Sequence, residues 1–174
     1  MYYSVSKRIG QLAEVTALLG GIGLFAVIAI TCVSVAGRAL DGLGLGPVPG
    51  DIELVELGIG FAVFSTLPYA QFFRAHARVD LFKPAFGARP NRVLDLIGEL
   101  LMCALTLGLS WRLWLGMLDK AAYHETTFIL QIPLVWGYRA AMAVMIVACI
   151  VALFCVLRAA RELMVPDTSA EAQS

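Results

Sequence analysis

Few residues in this chain have the chemistry to act as catalysts, and their spacing excludes most reactions. The four cysteines, Cys32, Cys103, Cys149 and Cys155, all fall inside long apolar runs and form no CxxC pair. A membrane enzyme that makes disulfides needs cysteine pairs in loops facing an oxidising compartment. These four read instead as buried, inert thiols. The two histidines, His76 and His124, lie in separate loops, on opposite faces of a membrane by the topology derived below. That excludes a haem held between two helical histidines and argues against a metal site. No phosphate loop and no GxSxG occurs, so neither nucleotide nor acyl-transfer chemistry has an apparatus. The expectation is no catalytic residue, no cofactor and no metal.

Ionisable residues near or inside the apolar runs say more, because charge in hydrocarbon is costly and needs a reason. Glu53 and Glu56 open the second run. Arg112 lies between Trp111 and Trp114 in the third, and Arg139 beside Trp136 and Tyr138 in the fourth. The aromatic neighbours mark an interfacial belt. Two carboxylates and two guanidiniums at similar depth predict that Glu53 or Glu56 pairs with Arg112 or Arg139. The alternative is that each group snorkels separately to water. Glu99 lies seven residues past Arg92, roughly 10 Å along a helix, with Asp95 one turn earlier on the same face. Its candidate partners are Arg74, Arg158 or a basic group on another subunit. A proton or ion relay needs further such groups through the membrane, and the middles of the four runs have none, so Glu99 reads as structural.

These residues are carried by a chain whose solvent is a membrane. Of 174 residues, 60 per cent are hydrophobic and 15 per cent charged, and the mean hydropathy is +0.82. A soluble domain is nearer half apolar and a quarter charged. Formal net charge is zero, which gives no reason to expect nucleic acid as a partner. Apolar runs at residues 12–36, 52–73, 93–118 and 134–157 each exceed the ~20 residues a helix needs to cross a bilayer. Backbone groups in lipid must be satisfied within the segment, which makes these runs helices. The predicted fold is a single all-α membrane domain, 1–165, of four transmembrane helices, followed by a polar tail at 166–174. The first run is too long for the apolar region of a cleaved signal peptide.

The breaks at 41–51 (DGLGLGPVPGD) and 83–91 (KPAFGARPN) are rich in glycine and proline and read as loops. The third, 119–133, is longer and less polar and is expected to hold a short interfacial segment. Gly20, Gly21 and Gly23 in the first run have two open readings: close packing inside the bundle, or a docking face for another membrane protein. Lys7 and Arg8 precede the first run, Arg74, Arg78, Lys83, Arg89 and Arg92 fill the second break, and Arg158 and Arg161 follow near the end. The other side has only Arg38 and Lys120, Arg112 and Arg139 being inside runs. By the positive-inside rule both termini are cytoplasmic. The stretch QFFRAHARVDLF that closes the second run is then a basic stop at the inner face.

The segment from Glu53 through Asp80 resembles the small membrane subunit of tripartite ATP-independent periplasmic (TRAP) transporters. It has a carboxylate-bearing start to the second helix, an apolar run, and then His76-Ala77-Arg78-Val79-Asp80, like the family's H-x-R-V-D. Thr126, Thr127, Leu130-Gln131-Ile132-Pro133 and Trp136 resemble its polar segment, I-P and aromatic pattern before the last span. The four-helix layout also matches. The resemblance implies a bacterial inner-membrane subunit in a sodium-driven symport of organic acids. It implies two partners, a large membrane subunit that carries the substrate and the sodium sites, and a periplasmic binding protein that delivers the substrate. The polar tail suggests a separate rather than a fused subunit. Glu53, Glu56, Arg74, His76, Arg78, Asp80, Glu99, Arg112 and Arg139 are then candidates for structural or subunit-interface roles. Two rivals remain: a small proton-coupled drug exporter, to which Glu14 in the first run invites comparison, and a quinone-linked membrane oxidoreductase.

Overall fold

The structure, a computed structural model, describes residues 2–75 and 88–164. His76, Arg78, Asp80 and the tail at 166–174 lie outside the described residues. Four helices account for most of the rest: α1 (Tyr2–Ala39), α2 (Asp51–Phe72), α3 (Ala88–Ala122) and α4 (Val135–Met164). A short 3-10 turn, Asp41–Leu43, follows α1. All four helices are long and apolar enough to cross a membrane.

Three helices overrun the apolar runs that identify them. α1 starts ten residues before the run at 12–36, α3 starts at Ala88 rather than 93 and ends at Ala122, and α4 continues to Met164. Hydropathy marks the part of a helix that lipid surrounds. The backbone hydrogen bonding that makes the helix continues until a residue breaks it. Pro90, expected in a loop, stands in the first turn of α3, where a missing N–H is no loss. Only α2 matches its run closely, and at 22 residues it spans about 33 Å, close to the ~30 Å hydrocarbon thickness. Pro68 is fully buried within it, and the helix continues past it to Phe72.

α1 packs along α2, α2 along α4, and α4 along α3, with a smaller contact between α1 and α4. α4 is therefore the central element. Its buried residues, Ala141, Val144, Met145, Ala148, Val151, Ala152, Cys155 and Ala159 among them, follow the three-and-four spacing of one helix face, and four of the nine are alanine. Small side chains allow the close helix approach that drives association in lipid. Ala13 of α1 packs with Val151 and Cys155 of α4, and Ile9, Phe72 and Val147 surround them.

The α1–α2 seam uses glycine on both sides. A Cβ added at Gly20 would lie 2.6 Å from Ser65 Cβ, and one at Gly58 would collide with Val27. Gly23 faces Phe61, while Gly21 faces open space. Gly20 and Gly23 are thus internal packing residues, which settles for those two the choice left open by the sequence. Hydroxyls within the spans bond back to their own helices: Thr16 to Ala13 O, Thr31 to Val27 O, Ser65 to Phe61 O, Thr106 to Met102 O and Ser110 to Thr106 O. Each would otherwise be an unsatisfied polar group in an apolar medium.

Candidate functional site

The most developed polar site lies at the end of the bundle where α2 and α4 finish and α3 begins. α2 closes with a left-handed turn: Ala75 N–H donates to Ala70 O at 2.8 Å and Arg74 N–H to Gln71 O at 3.1 Å. Arg74 takes the left-handed position, with φ 53°, a place usually held by glycine. For an L side chain this conformation costs about 1–2 kcal/mol. What it gains is direction, since the guanidinium turns back into the bundle. Nε of Arg74 donates to Glu99 Oε1 at 3.1 Å, Nη2 donates to Glu162 Oε2 at 3.1 Å, and Nη1 lies 4.0 Å from Asp95 Oδ2. α2 is thereby tied to α3 twice and to α4 once. Glu99 is only 5% exposed. Burial works against the charge on Arg74, but Glu162, Glu99 and Asp95 outweigh it and raise the guanidinium above its usual range.

Arg158 completes the knot. It donates from Nη2 to Phe72 O at 3.3 Å, its guanidinium lies 5.7 Å from the centroid of the Phe72 ring, and its Nε is 4.0 Å from Glu162. The Phe72 ring stacks on Phe154 at 6.2 Å. One turn deeper, Gln71 is buried at 3% exposure. Its Oε1 lies 3.4 Å from Thr106 Oγ1, which already donates to Met102 O at 2.8 Å. Nε2 of Gln71 has no partner among the described residues. A hydroxyl has one proton, so turning the amide over would put Nε2 on the free lone pairs of Thr106 and satisfy it. Ser110, another turn along α3, meets Cys149 Sγ at 3.1 Å. Glu99, Thr106 and Ser110 thus form a polar seam on α3, facing α2 and α4.

At the opposite end, Ser34 donates to Asp51, and Arg38 lies 3.6 Å from the same carboxylate, which fastens α1 to the start of α2. Lys120 pairs with Glu125. Here the structure departs from the expected pairing. The carboxylate of Glu53 accepts the backbone N–H groups of Ile129 and Leu130, the latter at 3.0 Å. Arg139 lies over the Trp136 ring at 5.2 Å, and Arg112 is exposed on α3. Among the described residues no ion pair joins Glu53 or Glu56 to Arg112 or Arg139. Similar depth along separate helices does not set which way the side chains face, and the 123–134 loop covers Glu53 before either arginine can reach it. Glu56 instead borders a cleft of about 540 Å³ between α2, α3 and α4, whose walls include Phe61, Phe64, Lys120 and Tyr138.

The residues that reading the sequence singled out therefore divide. Arg74 and Glu99 meet in one site, Glu53 serves a loop, and Arg112 and Arg139 stand at the other end. Glu14, the residue behind the exporter comparison, is exposed on α1, off the stripe of Ala13, Thr16 and Gly20 that faces the bundle. Arg158, named from the sequence as a candidate partner of Glu99, joins the same site through Phe72 O and Glu162, and Gln71 and Glu162 are additional members. Gln71 left a signal in the sequence, as an amide inside an apolar run. Glu162 left none, because a glutamate in a helical end reads as solvated. Among the described residues no group of three or more His, Cys, Asp and Glu side chains is placed to hold a metal ion.

The family model described as tripartite ATP-independent periplasmic transporters, DctQ component, matches residues 5–164. Searches of curated proteins and of solved structures give no match. A match over nearly the whole chain, on four membrane-spanning helices, displaces both the exporter and the oxidoreductase: the chain belongs to the DctQ family, the small membrane component of TRAP transporters, which is a transporter subunit and not an enzyme.

Proposed function

We propose that this subunit is a passive scaffold. It stands beside the large TRAP permease in the bacterial inner membrane and supports sodium-driven uptake of an organic acid that a periplasmic binding protein delivers. The observation that carries the reading is the family match over residues 5–164, on helices that run unbroken through their central turns. A transport path needs polar groups near the midplane, or interrupted helices that expose backbone ends to the solute. Here the ion pairs gather at the two ends of the bundle, and the seam between them is closed by short hydrogen bonds within the helices. Sodium and substrate then bind the large subunit.

The orientation belongs to the same proposal. The start of α1, the end of α2 and the end of α4 lie together, since Gly10 meets Phe72 and Ala13 meets Cys155. Lys7, Arg8, Arg74, Arg158 and Arg161 thus collect at one end. At the other, Arg38 and Lys120 are paired with Asp51 and Glu125. The positive-inside rule puts both termini in the cytoplasm. The test is co-expression with the large membrane subunit and the binding protein. The chain should purify with the large subunit as one species, and sodium-dependent uptake should need both. Solute accumulation by vesicles that contain this chain alone would overturn the reading.

A further inference from the structure

The loop between α3 and α4 bonds its polar groups to one another and to Glu53, and it turns large apolar side chains outward at its tip. Thr127 N–H donates to Ile132 O at 2.9 Å, and Ile132 N–H donates to the Thr127 hydroxyl at 3.0 Å. The Gln131 amide donates to Phe128 O and accepts from the Thr126 hydroxyl, both at 3.0 Å, with Gln131 held at φ 55°. The N–H groups of Ile129 and Leu130 are taken by Glu53, and Leu130 lies against Gly50, where no Cβ would fit. The large apolar side chains left outside at the tip are Phe128, 92% exposed, and Ile129, 57% exposed, beside the exposed Thr126 and Gln131. No charged residue occurs from 126 to 134.

The depth of this tip follows from α2. Glu53 is the third residue of a helix whose 22 residues only just span the hydrocarbon. A loop clamped to Glu53 therefore sits at the boundary between acyl chains and headgroups, beside the exposed ring of Trp136. Non-helical backbone survives at that depth only when its amides are satisfied within the protein, and the hydrogen bonds above do this for Thr127, Ile129, Leu130 and Ile132. We propose that Phe128 and Ile129 form an interfacial anchor, fixed by Glu53, that inserts into the lipid leaflet at the end of the bundle where α2 begins. The inference rests on the four spans and is independent of what the transporter carries.

The test is site-directed spin labelling of the full chain in vesicles of phosphatidylethanolamine and phosphatidylglycerol. Nitroxides are placed by Phe128→Cys and, separately, Ile129→Cys, in a background where the exposed Cys32 is replaced by alanine. Collision with oxygen, which partitions into lipid, should exceed collision with a water-soluble nickel complex at both positions. Glu53→Gln should shift the balance towards the nickel complex and increase label mobility. Dominant nickel collisions in the parent would place the tip in water and overturn the anchor. Low collision with both reagents would mean that protein covers the tip, and would overturn it equally. An unchanged balance in Glu53→Gln would remove Glu53 from the device.

Discussion

Arg74 and His124 occupy the same kind of backbone position for different reasons. Each follows the end of a helix in the left-handed conformation, at φ 53° and 48°, and each is framed by the same pair of capping hydrogen bonds. The geometry favours glycine by about 1 kcal/mol. His124→Gly should therefore raise thermal stability slightly, by about 1 kcal/mol. The equivalent change at Arg74 should do the opposite, because the buried Glu99 would lose its bond to the guanidinium. Breaking a buried pair from one side costs about 3–5 kcal/mol, and Arg74→Ala should lose that much in unfolding experiments in detergent. Arg74→Ala combined with Glu99→Gln should lose less than Arg74→Ala alone, since the buried carboxylate is then removed as well. Equal losses would show that the pair is not coupled. Arg74→Lys should fall between, because an ammonium cannot present the planar fork that reaches two helices.

Among the helices, α4 carries most of the packing, and its alanine-rich face allows α2 and α3 to approach from either side. The α1–α2 seam depends on single positions. Gly20→Val should separate the helices, because the new side chain would meet Ser65, and should lower the melting temperature and yield of the folded chain. Gly21→Val, one residue away in open space, should be tolerated. Equal damage at both positions would argue that helix propensity, not contact, decides. The contrast also bears on how a glycine cluster is read from sequence. Three glycines within four residues look alike in a string, but a helix turns about 100° per residue, so only two of them face the partner helix.

For the whole molecule, the distribution of charge is the organising feature. The Arg74 knot joins α2, α3 and α4 at one end, while separate ties involving Asp51, Glu53 and Lys120 hold the other. Between them the helices meet lipid with exposed apolar side chains such as Phe25, Leu101 and Leu157. A bundle pinned at both ends is suited to the scaffold role proposed above. Reporter fusions give the measurement at this scale: fusions within the 76–87 segment should read cytoplasmic, and fusions at Gly42 should read periplasmic. The reverse result would overturn the orientation while leaving the fold intact.

The sequence by itself determined the solvent, the number of spans and the family. The first two depend on composition and on long apolar runs, and the family on a resemblance carried by short motifs such as His76-Ala77-Arg78-Val79-Asp80; none of these needs knowledge of neighbours. It also marked Glu99 as a charge that had to find a partner, and placed Arg74 within reach. Only the tertiary structure decided which partners were taken. Glu53 went to the amides of a loop rather than to an arginine, Glu162 joined a knot that its exposed-looking context concealed, and Gly20 and Gly21 parted company. The physical reason is directional. Period and hydropathy fix how deep a residue lies in the membrane, but the way its side chain faces depends on the rotation of each helix about its axis, and packing against the neighbouring helices sets that rotation.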